Sequence, residues 1–90
     1  MKTNTLCKVF GKVQGVGYRV WVRNTAIKNS LTGWVKNCDD KTVEFEISGE
    51  EKEKKIFLKK CYKGPMFSKV IQIELQDVTF KEFCSFEILY

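Results

Sequence analysis

GWVKNCDDKTVEFEI, Gly33 to Ile47, reads as two strands doubled back on a polar turn, and the fold follows from that hairpin. In its second arm Val43, Phe45 and Ile47 alternate with Thr42, Glu44 and Glu46. Such a two-residue period sets one apolar face inward and one polar face to water. Between the arms, CDDK is made of turn-forming and polar residues. Arms joined this way run antiparallel.

Upstream of the hairpin, TLCKVFGKV (residues 5–13) is β-branched and partly alternating, a first strand. After a glycine-rich loop, YRVWVRNTAIKNSLTG (residues 18–33) carries Val22, Ala26 and Ile27 at helical spacing and is expected to stop at Gly33. Downstream, SGEEKEKKIFLKKCYKGP (residues 48–65) reads as a second helix. Ser48 and Glu51 fit a capping box, acids fill the first turn and lysines the last, and Gly64-Pro65 ends it. Its lysines read as a solvated face balanced by the helix's own glutamates. VIQIELQDVTF (residues 70–80) sets Ile71, Ile73 and Leu75 on one face, and FCSFEILY (residues 83–90) does the same with Phe86, Ile88 and Tyr90. The order is β-α-β-β-α-β with one short extra strand. That is the α+β, split β-α-β arrangement of ferredoxin-like folds, an antiparallel sheet with two helices on one face. A fold shared by so many activities does not choose one.

Ninety residues suit one domain, residues 1–90, with a modest core. Sixteen Lys and Arg against eleven Asp and Glu leave a formal charge of +5, which favours anionic ligands without choosing among nucleic acid, a membrane surface and a phosphorylated metabolite. The stretch MKTNTLCKVF lacks a signal-peptide core, and no window is apolar enough to span a bilayer, so the cytosol is the expected compartment, with no membrane partner. Cys7, Cys38, Cys61 and Cys84 form no CxxC pair and the chain has no histidine. A zinc site is therefore not expected, and the cysteines read as reduced thiols. Six residues after Cys7 stands Val13 and six after Cys38 stands Glu44, so neither opens a Cys-x5-Arg phosphate loop. Phosphocysteine, phosphohistidine and histidine-base mechanisms all lack their residues.

GKVQGVGYRV, Gly11 to Val20, places three glycines and Arg19 between the first strand and the first helix. The dinucleotide fingerprint would require glycine where Val20 stands, and the P-loop would require Gly-Lys-Ser/Thr where Gly17-Tyr18-Arg19 stands. A more general property remains. Residues without a Cβ let successive backbone N–H groups line an anion-sized hollow, and the helix that follows aims its positive end at the same point. Arg19 would close the hollow with a planar fork matched to phosphate or carboxylate. A plain glycine-rich turn beside a solvated arginine fits the same residues.

Two stretches resemble the acylphosphatase family. GKVQGVGYR is similar to its signature G-x-V-Q-G-V-x-F/Y-R at every specified position, and GWVKNCDDKTVEFEISG to its second, G-W/F/Y-V-K/R-N-x3-G-x-V-x5-G, except at Lys41, where the family has glycine. GPMFSKV and the closing FEILY extend the resemblance over nearly the whole chain. It implies hydrolysis of a carboxyl-phosphoryl anhydride to carboxylate and phosphate, with no metal, cofactor or covalent intermediate. It implies that Arg19 holds the phosphoryl group, that Asn37 positions the attacking water, and that the N–H groups of Gln14, Gly15, Val16, Gly17, Tyr18 and Arg19 form the cradle. The substrate partner is then a small acyl phosphate, inorganic phosphate is product and competitive inhibitor, and a monomer is expected.

The chemistry agrees with those residues. Phosphoryl transfer requires chiefly positioning and charge neutralisation, and a carboxylate, with a conjugate-acid pKa of about 4, departs without a general acid. Asn37 orients water but takes no proton, which leaves the substrate's own phosphate oxygen as acceptor. From the residues alone, Asn37 before CDDK also reads as an asparagine closing its own turn. Trp21 and Trp34 fit packing as readily as stacking, and Gln14 fits a role in satisfying loop backbone. An inactive, regulatory domain of the same family has the same sequence signature. An RNA-binding module of the same fold is disfavoured, because the face that would stack bases offers Thr42, Glu44 and Glu46. At Lys41 the turn has two readings: a strained left-handed lysine, or a rebuilt turn with Asp39 or Asp40 in that position.

Overall fold

The computed structural model describes residues 1–90. The hairpin forms as expected. Strand β2 (Thr32–Asn37) pairs antiparallel with β3 (Val43–Glu50), with Val35 opposite Phe45 and Asn37 opposite Val43. Around them lie β1 (Lys2–Lys12), α1 (Tyr18–Lys28), α2 (Glu51–Cys61), β4 (Lys69–Val78) and β5 (Phe86–Leu89), and the sheet order is β4-β1-β3-β2-β5. Helix α1 packs on β2 and β5 and α2 on β3, which gives the two-layer ferredoxin-like α+β architecture. Val9, Val22, Val35, Phe45, Ile47 and Phe57 fill the space between the layers. The Phe45 and Phe57 rings meet edge-on at 5.7 Å. Each buried side chain of this size contributes about 1.5–3 kcal/mol.

One pairing departs from the expected antiparallel sheet, because β5 runs parallel to β2. After β4 the chain crosses the sheet's open face, where Asn4 Nδ2 donates to the Lys81 carbonyl and to Glu46 Oε2, and it returns along the far edge in the opposite direction. The expected wet face is also corrected: Glu46 is buried beside Asn4 at that crossing, Thr42 is buried in the β2–β3 turn, and Glu44 is half-buried beside Lys36.

Four local expectations fail. Helix α1 stops at Lys28 rather than Gly33. Ser30 takes the left-handed position (φ 59), Leu31 N–H returns to the Ala26 carbonyl, and Ile27 faces solvent. Gly33 instead lies inside β2, where a Cβ would sit 1.8 Å from the Glu46 carbonyl oxygen. The Ser48–Glu51 capping box does not form, because β3 continues to Glu50 in register with β1. Glu51 accepts instead from Thr3 Oγ1 and pairs with Lys54. Lys54 is the exception to the solvated lysine face: its stem is buried and its ammonium donates to Thr3 and Thr5 hydroxyls. In β4 only Ile73 of the expected apolar face is buried. A bulge opposite Phe10/Gly11 leaves Ile71 unpaired and exposed, Val70 packs on the core in its stead, and Leu75 lies beyond the helices' cover. Along β5, Phe86 is buried, Ile88 is half-buried and Tyr90, just beyond the strand, is exposed.

The β2–β3 turn decides between the two readings of Lys41. Cys38 N–H donates to the Thr42 carbonyl at 2.9 Å and Lys41 N–H to the Cys38 carbonyl at 3.1 Å, which puts Lys41 itself at φ 71. Glycine is unstrained there, so Lys41→Gly is expected to raise stability by about 1 kcal/mol, or about 4–8 °C in Tm. Thermal unfolding followed by circular dichroism measures this, and a lower Tm contradicts the strain. Asp40 braces the same turn. Its carboxylate accepts from the Thr42 hydroxyl and backbone N–H and pairs with Lys8 at 2.9 Å. Those bonds, led by the Thr42 hydroxyl, hold its pKa down to about 2 from 3.8. A carboxyl depressed on folding stabilises fully above its unfolded value, and that contribution is lost as pH falls through the folded one. In a carboxyl NMR titration Asp40 is expected to have its midpoint near 2, moving part of the way toward 3.8 in Thr42→Val.

Candidate active site

The glycine loop joins β1 to α1 at one end of the sheet. Gly15 (φ 74) and Gly17 (φ 79) are both left-handed, and a Cβ at either would meet nothing within 4 Å. Backbone geometry, not crowding, therefore demands glycine there. Gln14 Nε2 donates to the Cys38 and Thr42 carbonyls, both at 2.9 Å, and so staples the loop to the hairpin. The side chain satisfies backbone, as one reading of the sequence expected. Val13 is buried beneath the loop and Val16 half-buried against the core. Tyr18 is buried by packing on Trp21, and its hydroxyl donates to the Cys61 carbonyl at 2.7 Å. Burial pushes its pKa up, so it stays a neutral anchor tying the start of α1 to the end of α2.

The start of α1 is electrostatically incomplete. Gly17 caps it without a side-chain hydrogen bond, no acid lies in its first turn, and Arg19, a cation, does. A positive side chain at the positive end of a helix dipole costs about 0.3–1 kcal/mol, and an anion bound at the free N–H groups reverses that sign. Arg19 forms no ion pair with any carboxylate. Its guanidinium lies 5.2 Å from the centre of the Tyr90 ring, a cation–π contact that steadies the side chain while leaving the fork's donors uncommitted.

Asn37 ends β2 with its Oδ1 buried and without a hydrogen-bond partner in the protein. The turn that follows is closed by its own backbone and by Asp40, so Asn37 does not close it. The parallel β2–β5 register pairs Lys36 with Leu89. Tyr90, the ring on which Arg19 rests, follows Leu89 just beyond β5 and is fully exposed. The contact between Tyr90 and Arg19 joins residues far apart in the chain and leaves no local mark in the sequence.

The four cysteines are free. Cys7 and Cys61 are buried, and burial pushes both thiols up, away from reactive thiolate. No helix is long and apolar enough to cross a membrane.

A family model described as Acylphosphatase matches residues 6–88. The acylphosphatase of Geobacillus kaustophilus is 49% identical over 84 residues, spanning 91% of this chain and 88% of that protein. That of Clostridium acetobutylicum is 44% identical over 91 residues, covering 100% of both chains. The crystal structure of the acylphosphatase from Bacillus subtilis superimposes with a TM-score of 0.95 at 37% identity, again over 100% of each chain.

Proposed function

This chain belongs to the acylphosphatase family, and from that premise we propose how its own residues carry out acyl phosphate hydrolysis. The phosphoryl group sits in the loop, its equatorial oxygens accepting from the N–H groups of Gln14 through Arg19 and from the Arg19 fork. Asn37 Oδ1 accepts one O–H of a water and turns its lone pair toward phosphorus. Water attacks in line, the P–O bond to the acyl oxygen breaks, and that oxygen leaves with the bonding pair as carboxylate. The water's proton passes to a phosphate oxygen, since the site holds no base of its own.

Asn37 carries the proposal. A buried acceptor left without a partner costs about 1–3 kcal/mol of stability, and such a cost persists where the group acts on something other than the protein. Inorganic phosphate, the product, occupies the same cradle and inhibits competitively. The 90 residues act as one catalytic domain, and one chain supplies every residue named, so a monomer is the acting unit. The cytosol is the compartment this assignment fits, free thiols being ordinary there. Nucleic acid is not a partner in this reading, because the segment carrying Lys81 crosses the open sheet face on which bases would stack.

Hydrolysis of benzoyl phosphate by the purified protein in EDTA, set beside an alkyl phosphomonoester, tests the reading. Benzoyl phosphate is expected to turn over at an unchanged rate in chelator and the monoester to be a far poorer substrate, since an alkoxide needs a general acid that the site does not supply. Loss of activity in EDTA, restored by a divalent ion, would overturn the metal-free mechanism.

A further inference from the structure

Beside the loop lies a cavity of about 430 Å³ lined by Gly11, Lys12, Val13, Gln14, Gly15 and Lys41. Gln14 and Gly15 belong also to the proposed cradle, so the two spaces adjoin. The only charges in the lining are the two lysines, and neither pairs with a carboxylate. Asp40, next to Lys41, has its charge committed to Lys8 and Thr42. Lys12 also stands directly opposite Lys69 in the β1–β4 register, a like-charge pairing that an anion would relieve. Lys41 holds its place at φ 71, where glycine would be unstrained. An outlier of that kind points to a use for the side chain. The Gln14 staple fixes the Lys41 turn and the loop to each other, so the spacing between cavity and cradle is set before any ligand arrives.

We propose that Lys12 and Lys41 form a second anion site beside the cradle, so that the preferred substrates are acyl phosphates whose acyl group bears a further carboxylate or phosphate. The inference rests on the loop binding the phosphoryl end. The reacting group lies in the cradle, the second anion reaches the lysines, and the acyl chain passes over Gly15, where no side chain obstructs it.

Substrates of similar size test this, each rate being divided by the compound's own uncatalysed hydrolysis rate to remove differences in leaving-group reactivity. We compare meta-carboxybenzoyl phosphate with its neutral meta-carbamoyl analogue, and add the meta-phosphono compound to separate a carboxylate preference from a phosphate one. In the wild-type protein kcat/KM is expected to favour the anionic substrates by about tenfold at low salt, as two exposed charge contacts allow. Lys12→Gln and Lys41→Gln are each expected to lower that ratio severalfold, and the double variant to bring it close to one. Hydrolysis of all three compounds with a wild-type ratio near one overturns the second anion site and leaves the acylphosphatase assignment standing. A high ratio that survives both substitutions overturns the choice of lysines. Failure to hydrolyse any of the three overturns the cradle itself and the inference with it.

Discussion

Arg19→Lys is expected to lower kcat/KM for an acyl phosphate by about a hundredfold or more, which corresponds to about 2.7 kcal/mol of lost transition-state stabilisation. Lysine keeps the charge but replaces a planar, two-pronged donor with a point, so only the geometry of the contact with the phosphoryl oxygens changes. Arg19 pairs with no carboxylate, so the loss cannot be assigned to a broken structural ion pair. Its contact with Tyr90 is of a kind worth about 0.5–1 kcal/mol at an exposed site, and lysine retains part of it. Steady-state kinetics on benzoyl phosphate, with inorganic phosphate as inhibitor, measures both consequences: kcat/KM falls and phosphate inhibition weakens in step. Near wild-type kcat/KM would remove Arg19 from the phosphoryl site.

Asn37→Ala is expected to separate catalysis from stability. With no hydrogen bond to Oδ1 to lose and an unpartnered buried acceptor removed, the variant should melt at or above the wild-type temperature, while kcat falls by roughly a hundredfold because the water loses its orienting acceptor. Phosphate affinity should hardly change, since the partner of Asn37 is the water and not the phosphoryl group. The opposite pattern, a large drop in Tm with kcat intact, would mark Asn37 as a structural residue. A large loss of phosphate affinity would make it a phosphate ligand instead.

The hairpin and the glycine loop were legible because their determinants are local. Alternation from Val43 to Ile47 sets a face, and the positive φ at Gly15 and Gly17 is recorded in the residue type. Lys41 kept the left-handed position despite its Cβ, so the family's glycine at that place was a sound guide to backbone shape. Errors arose where distant chain supplied the partner. Glu46 alternates like a solvent-facing residue but is buried under the segment that carries Lys81. Ser48 fits a capping motif but is held in β3 by its pairing with Asn4. Leu75 alternates correctly, yet no local pattern tells how far the helices extend over the sheet. Arg19 and Asn37 stand in two motifs visible in the sequence, whereas the contact of the Arg19 guanidinium with the Tyr90 ring is between residues far apart in the chain and leaves no local mark.

Hydrolysis in water enriched in oxygen-18 tests the central claim, that a water oriented by Asn37 attacks phosphorus held in the loop. Attack at phosphorus breaks the P–O bond, so each turnover is expected to place one labelled oxygen in inorganic phosphate and none in the carboxylate, read by mass spectrometry of both products. Label in the carboxylate would mean attack at the carbonyl carbon, and it would contradict the roles assigned here to both Arg19 and Asn37.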